Sequence, residues 1–303
     1  MNAGPRKDVS VRPSLAAGRL HIASMEPVRV GMPELCRAGL SETWLMKACG
    51  HRHWLALAQA HGLSVPDFRD ANGARLYPAF TSVRLADGCL ENIREDDRLE
   101  FQVTLVRIGR TRFRSIIQVR RDDENVARVT MESAFVRRTI KGRNRSAARC
   151  LVAGPCGLLS SADATPPLRI DGWDRLAGFC RTDRAEIATH LIDPSPHEDF
   201  NGADFLYFAA FQAMLDRAEW HWFHHSDPLL VTTGRQIFYT GNIELGDQVR
   251  TTLCGIVKKG GNLSHWIEIA RSSDGEVIAL GFTQKRFVER SANDAPLRRS
   301  ALP

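Results

Sequence analysis

No run of about 18 apolar residues occurs in this chain, so the sequence holds no segment of the kind that spans a bilayer as a helix. Residues 1–24 lack the apolar core of a secretory signal, which needs about 7–15 residues, so no such signal is expected. The seven cysteines, at 36, 49, 89, 150, 156, 180 and 254, are odd in number and show no paired spacing. That usage argues against a disulfide framework and suits reduced thiols, which makes a cytoplasmic protein the expectation. Metal signatures are missing too. His221, His224 and His225 share a helix-face spacing, but no Glu-flanked zinc motif accompanies them, and neither metal nor cofactor is expected. His51 and His53 stand two apart and point in different directions on a helix, which reads as packing more simply than as a cleft pair. Tyrosine is scarce, with three residues at 77, 207 and 239.

What is present is globular material: 303 residues, 43% apolar and 25% charged, enough for two domains with a core each. The net charge of +6 is partly concentrated in Arg137, Arg138, Lys141, Arg143, Arg145 and Arg149. Such a cluster attracts polyanions (nucleic acid, the phosphates of coenzyme A, an acidic carrier protein), or else belongs to a solvated linker. No aromatic residues interleave with it, which argues against a single-strand stacking surface and against nucleic acid as the partner.

The chain also repeats itself. Asn92-Ile93 and Asp97 are echoed 150 positions on by Asn242-Ile243 and Asp247. The same offset lays Leu99–Val103 on Val249–Leu253 and Phe113–Val119 on Leu263–Ile269. A two-residue slip brings Phe135-Val136 onto Phe287-Val288. A repeat of this length implies two fused copies of one fold.

Each copy reads as a helix followed by antiparallel strands. Ser41 is a plausible N-cap, Gly62 a plausible stop, and the apolar residues between them cover most of the circumference, as in a buried helix. Leu99, Phe101, Val103 and Leu105 alternate with polar residues, as do Phe113, Ser115, Ile117 and Val119. Asp122–Asn125 and Ser272–Gly275 supply hairpin turns. A second helix is expected to start near Asn201-Gly202 and run through Trp222. One buried helix wrapped by an antiparallel meander is an α+β arrangement, the hot-dog fold, and two tandem copies make a double hot dog. The expected organisation is an N-terminal tail (1–24), a first hot dog (25–137), a linker (138–170), a second hot dog (171–290) and a C-terminal tail (291–303).

Helix starts offer free N–H groups and positive dipole ends, suited to a carbonyl oxygen that gains negative charge. Gly39-Leu40-Ser41 and Asn201-Gly202-Ala203 are the candidate starts, with Gly39, Ser41, Asn201 and Gly202 as candidate substrate-binding residues; otherwise the glycines only permit tight turns. Asp199–Ala203, Leu206–Phe208 and Leu215-Asp216 resemble the helix-start motif of hot-dog acyl-CoA thioesterases, in which a carboxylate often stands where this chain has Asn201. An amide is no general base, though it can hydrogen-bond a thioester oxygen or a water. Asp199 is a candidate substitute, or a helix cap or first-turn charge. The histidine loop of a dehydratase is absent from the sequence.

A more specific resemblance rests on Gly31–Leu35, Gly39–Leu45, Cys49–Trp54 and Leu76-Tyr77-Pro78-Ala79-Phe80. These segments resemble the double hot-dog acyltransferase/decarboxylases of leinamycin biosynthesis and their relatives in polyketide gene clusters. The resemblance implies decarboxylation of methylmalonyl-CoA and transfer of the propionyl group to an acyl carrier protein, with a coenzyme A thioester as substrate. It also places the proposed acyl-accepting tyrosine at Tyr77. A phenol with its ordinary pKa near ~10 needs activation to act as a nucleophile, so a hydrogen-bonding role toward enolate or carboxylate stands beside it. The alternatives are a hot-dog thioesterase or dehydratase-like enzyme on a polyketide intermediate, and a non-catalytic acyl-carrier-binding protein. Two hot dogs in one chain satisfy the usual dimer and leave a further homodimer open. Catalysis is expected to be asymmetric, biased toward the cleft that holds Tyr77.

Overall fold

The computed structural model describes residues 14–16, 19–22, 27–158, 170–223 and 229–288. The assigned C-terminal tail, residues 159–169 of the linker, His224 and His225 lie outside them. The first half contains β1 (Arg19–Ile22), α1 (Glu42–Ala60), β2 (Tyr77–Ala86), β3 (Arg98–Arg107), β4 (Arg112–Arg121) and β5 (Glu124–Arg138). A short β6 (Ala147–Arg149) leads to the second half: β7 (Ala188–Ile192), α2 (Phe208–Phe223), β8 (Leu229–Tyr239), β9 (Val249–Lys259), β10 (Asn262–Arg271) and β11 (Val277–Val288).

Among the described residues these strands and two short ones, Ser14–Ala16 and Val28–Arg29, form one 13-stranded antiparallel sheet whose main path runs, after Ser14–Ala16, β1-β3-β4-β5-β2-β8-β11-β10-β9-β7. The order on one side of the β2/β8 pair mirrors the order on the other, so the repeat in the sequence is a repeat in space. The halves join where Val83 of β2 faces Ile237 of β8 and Ser82 faces Phe238. Alternation sets the register: Leu99, Phe101, Val103 and Leu105 are all buried on one face of β3, and a one-residue slip would expose the whole set. Residues assigned to the N-terminal tail contribute β1, which pairs with β3.

Each meander wraps one helix, giving the double hot-dog fold expected from the sequence. Ser41 caps α1, its side chain accepting from the Trp44 N–H at 3.3 Å, and the chain leaves the helix through His61 and Gly62. Leu45, Cys49, Ala56 and Leu57 are buried on α1, and Met214, Leu215 and Ala218 on α2; each buried leucine contributes about 1.5–3 kcal/mol. The helices approach closely at Gly50, where an added Cβ would stand 2.6 Å from Cζ of Phe208. Glycine is therefore the residue that lets the start of α2 reach α1.

Helix α2 begins at Phe208, later than the sequence suggests. The Asn201 side-chain oxygen accepts from the N–H groups of Ala203 (2.9 Å) and Phe205 (3.2 Å), and Asp204 turns through φ 58°. Phe200 then bridges Leu206 in antiparallel fashion. This local side-chain bonding holds the backbone out of a helix, which is why a cap-like sequence makes a loop. Asn201-Gly202 is thus not a helix start.

The basic segment after β5 is likewise not a free linker. Arg138 stacks on Phe205 at 3.9 Å and bonds the Asn144 carbonyl oxygen of the side chain at 2.8 Å. Asn144 donates to the carbonyls of Asp204 (2.5 Å) and Ile243 (2.7 Å), and Arg145 pairs with Asp247 (3.0 Å) and Asp274 (3.3 Å). Arg137 pairs with Asp70 at 3.0 Å. Arg138 and Arg145 therefore clamp the first copy onto loops of the second, while Arg137 is tied within the first. Lys141, Arg143 and Arg149 face solvent.

Candidate functional site

A cavity of about 870 Å³ opens between the two halves, within the size range of small-molecule sites. The first residues of β2, the 201–207 loop, the start of α2, the end of β8 and the clamp at 144–147 line it. All three tyrosines of the chain are among its lining residues. Tyr77 opens β2, half-buried, with its ring edge-on to Phe205 at 5.9 Å and the Arg75 guanidinium 5.7 Å above it. Tyr207 immediately precedes α2, 4.7 Å from the Phe208 ring and 6.1 Å from Trp54. Burial pushes its phenol up to about 12, which keeps the hydroxyl protonated at neutral pH. The Tyr239 hydroxyl donates to the Phe208 carbonyl at 3.2 Å, and burial drives its pKa upward as well.

The start of α2 provides the donors that the sequence places elsewhere. The Ala210 N–H bonds back to the Tyr207 carbonyl (2.8 Å), which leaves those of Phe208 and Ala209 without a protein acceptor among the described residues. The Phe208 N–H stands at a positive helix end beside the cavity, a setting suited to an oxygen that gains charge, whereas Ala209 is buried and does not line it. Asn201 and Gly202 line the same cavity. The Asn201 oxygen is consumed by its own loop, so only its NH2 remains for a ligand. A Cβ on Gly202 would meet nothing within 4 Å, so its conformation and surroundings do not demand glycine; it keeps the wall thin.

The two remaining candidates lie apart from this cavity. Ser41 is the cap of α1, and Gly39 sits at φ +101° with a Cβ position only 2.3 Å from the Leu90 carbonyl. Both serve the local chain path. Asp199 does not line the cavity either; it is buried, accepts from the Ser195 N–H at 2.8 Å and faces Arg217 at 3.7 Å. His53 is a core residue whose two ring nitrogens each stand 2.7 Å from a serine hydroxyl, of Ser115 and Ser133, while His51 is exposed.

The start of α1, the counterpart position, is filled by charge. Arg235 of β8 lies within 2.8 Å of carboxylate oxygens of Glu42, Asp216 and Glu219, with Lys285 and His265 beside Glu219. The fold thus has one open mouth and one closed by buried ion pairs. At the rim of the open one, Asp274 and Glu276 are both held by Arg271. No histidine and no unpaired carboxylate lines it among the described residues.

Tyr207 and Tyr239 escape the sequence reading. Their signal was the rarity of tyrosine, since a residue type used three times and gathered three times in one cavity is not spread at random.

No protein-family model matches the chain, and no curated protein sequence matches it significantly. Solved structures do. The chain is similar to a putative oleoyl thioesterase from Lactobacillus plantarum, at 15% identity and TM-score 0.64, over 91% of this chain and 100% of that one. It is similar to the 12:0-ACP thioesterase from Umbellularia californica, at 14% identity and TM-score 0.61, over 89% of this chain and 95% of that one. An acyl-ACP thioesterase from Bacteroides thetaiotaomicron VPI-5482 gives 12% identity and TM-score 0.56, over 89% and 97%. At these identities the likeness carries the fold, over nearly the whole chain.

Proposed function

We propose that the chain is a hot-dog enzyme acting on acyl thioesters, and that it decarboxylates a malonyl-type thioester, methylmalonyl-CoA being the expected substrate, and transfers the acyl group to an acyl carrier protein. The observation that carries this reading is the make-up of the cavity: a free helix-start N–H and phenols, with no histidine and no unpaired carboxylate among its described lining residues. Hydrolysis and dehydration both call for a positioned base. Decarboxylation does not. It needs a carboxylate moved into apolar surroundings and a place for the electrons it leaves behind.

The bond between the α-carbon and the carboxylate breaks, carbon dioxide leaves, and the electron pair becomes a thioester enolate. The Phe208 N–H and the O–H groups of Tyr77 and Tyr207 are the donors available to the enolate oxygen. Trp54, Phe205 and Phe208 supply the apolar walls. A proton delivered to the α-carbon then gives the saturated thioester. With Tyr77 as the candidate acyl acceptor, its phenol oxygen attacks the thioester carbonyl and coenzyme A leaves with the phenol proton; the carrier thiol then attacks the acyl-tyrosine ester and its proton restores the phenol. Lys141, Arg143 and Arg149, on the clamp segment that borders the cavity, suit the phosphates of coenzyme A or an acidic carrier.

Names of the similar structures support thioesters as the substrate class and make hydrolysis the competing reaction. Incubation with methylmalonyl-CoA and a carrier protein separates them. Carbon dioxide release with a propionyl mass on the carrier is expected. Free acid without carbon dioxide would select a thioesterase, and carrier binding without any turnover a non-catalytic partner.

A further inference from the structure

At its far end α1 carries a second cluster of reactive side chains, outside the large cavity. His61 is the C-cap of the helix, and its Nδ1–H donates to the Leu57 carbonyl at 2.9 Å. Phe68, Phe113 and Phe135 surround the ring at centroid distances of 5.9, 5.6 and 5.6 Å. With Nδ1 committed to a carbonyl, Nε2 is the nitrogen left for the pocket that His61 shares with Cys156. The negative end of a helix favours an imidazolium at this position.

The segment that carries Cys156 is pinned in place. The Gly157 N–H donates to the Ala60 carbonyl (2.8 Å), the Ala153 N–H to Arg69 (2.7 Å) and the Cys150 N–H to Phe135 (2.9 Å). A pocket of about 90 Å³ opens there, lined by His61, Cys156, Cys150, Arg107 and Arg110 among others. Cys156 is half-buried and reachable. Partial burial alone would raise its thiol, but the bonds from His61 and the Leu158 backbone and the charge of Arg107 outweigh it and lower the pKa. The thiols of Cys49 and Cys254 are instead driven up to about 12 by burial, and exposed Cys36 is raised as well. A thiol of lowered pKa that shares a reachable pocket with a histidine and two arginines is the setting of a reactive cysteine.

We propose that Cys156 is a thiol-exchange site, which reacts with small anionic disulfides admitted to the pocket by Arg107 and Arg110. The Cys156 thiolate attacks one sulfur of the disulfide, the S–S bond breaks as the new one forms, and the departing thiolate takes the proton of the His61 imidazolium. The product is a mixed disulfide at Cys156 and one free small thiol. This chemistry is independent of the thioester reaction in the large cavity.

The test is the rate of modification of each cysteine in the full chain, read by peptide mass spectrometry at about pH 6, where ordinary thiols are protonated. Oxidised glutathione serves as the anionic disulfide and cystamine as the cationic one. Cys156 is expected to react first, about tenfold faster than Cys36, and faster with glutathione than with cystamine. His61→Gln should slow it about tenfold at that pH, and Arg110→Gln should remove the preference for the anionic reagent. The wild-type pH–rate profile needs no variant: an ordinary-thiol midpoint near ~8.5 at Cys156 overturns the proposal, as does faster reaction at any other cysteine.

Discussion

Arg235 Nε lies 2.8 Å from Glu42 Oε1, joining the strand of the second copy that borders the first to the first residue of the helix of the first copy. The same guanidinium holds Asp216 at 2.6 Å and Glu219 at 2.7 Å. Removing it leaves three buried or half-buried carboxylates with Lys285 and the His265 ring beside them. Loss of one partner from a buried ion cluster costs about 3–5 kcal/mol. Arg235→Met is expected to destabilise the chain by that amount in urea unfolding, and a change under about 1 kcal/mol would mean that the network is dispensable.

Glu42 behaves in the opposite sense. Burial, only partly offset by Arg235 and reinforced by Asp216, pushes its carboxyl up to about 7. A carboxyl with a raised folded pKa contributes stability that is complete below the unfolded value of 4.5 and is lost as pH rises through about 7. Glu42→Gln mimics the neutral form. It is expected to raise the melting temperature at pH 8 by the equivalent of about 1–3 kcal/mol and to change little at pH 4.5. Melting curves across that interval measure it; equal shifts at both ends would count against the assignment.

His53 governs the acid side. Burial lowers its pKa to about 3, and a neutral imidazole donates to one serine hydroxyl and accepts from the other. The unfolded chain takes up a proton near 6.5 that the folded chain refuses, so this stability is present above 6.5 and falls away as pH drops toward 3. His53→Gln should lower stability at pH 7 by about 1–3 kcal/mol and flatten the acid limb of the urea midpoint against pH. An unchanged slope between pH 6.5 and 4 would assign acid sensitivity to other groups.

The scaffold was legible in the sequence because period-2 alternation leaves little freedom: β3 and β9 must turn the same side chains inward, and the echo from Leu99 to Val249 shows it. Ser41 and Gly62 marked α1 because caps and stops are local chemistry. Asn201-Gly202 misled for the same reason, since an Asn that bonds two N–H groups ahead of it serves a loop as well as a helix. The clamp at Arg138–Arg145 read as linker because its partners Ile243, Asp247 and Asp274 lie far along the chain and nothing local announces them. Tyr77 was reached through resemblance, while the company it keeps, Tyr207 and Tyr239, emerges only when both halves are folded together.

Close packing at Gly50 links that fold to the cavity. An added Cβ would meet Phe208 at 2.6 and 2.8 Å, and Phe208 is itself packed on Phe80 at 4.4 Å between ring centroids. Gly50→Ala therefore forces the first residue of α2 to shift. Overpacking of this kind costs about 1–3 kcal/mol, and a displacement near 1 Å at the reacting group can cost about a hundredfold in rate. Folded protein with a strongly reduced turnover is expected by calorimetry and carrier loading together. Full activity would show that the start of α2 does not set the position of the chemistry.

The phenols themselves separate two roles. Tyr207 keeps its proton up to about 12, so it can donate to an enolate oxygen but cannot attack a carbonyl at neutral pH. Tyr207→Phe removes one donor and is expected to slow carbon dioxide release about 10²-fold, close to 2.7 kcal/mol, with the carrier still becoming loaded in proportion. Tyr77→Phe removes the candidate acyl acceptor at the mouth of β2 and should abolish loading. If it instead slows release and loading by the same factor, Tyr77 is a second donor and the acyl group passes directly between thiols. Wild-type rates in both variants would leave the helix-start N–H as the sole source of stabilisation and would end any chemical role for the phenols.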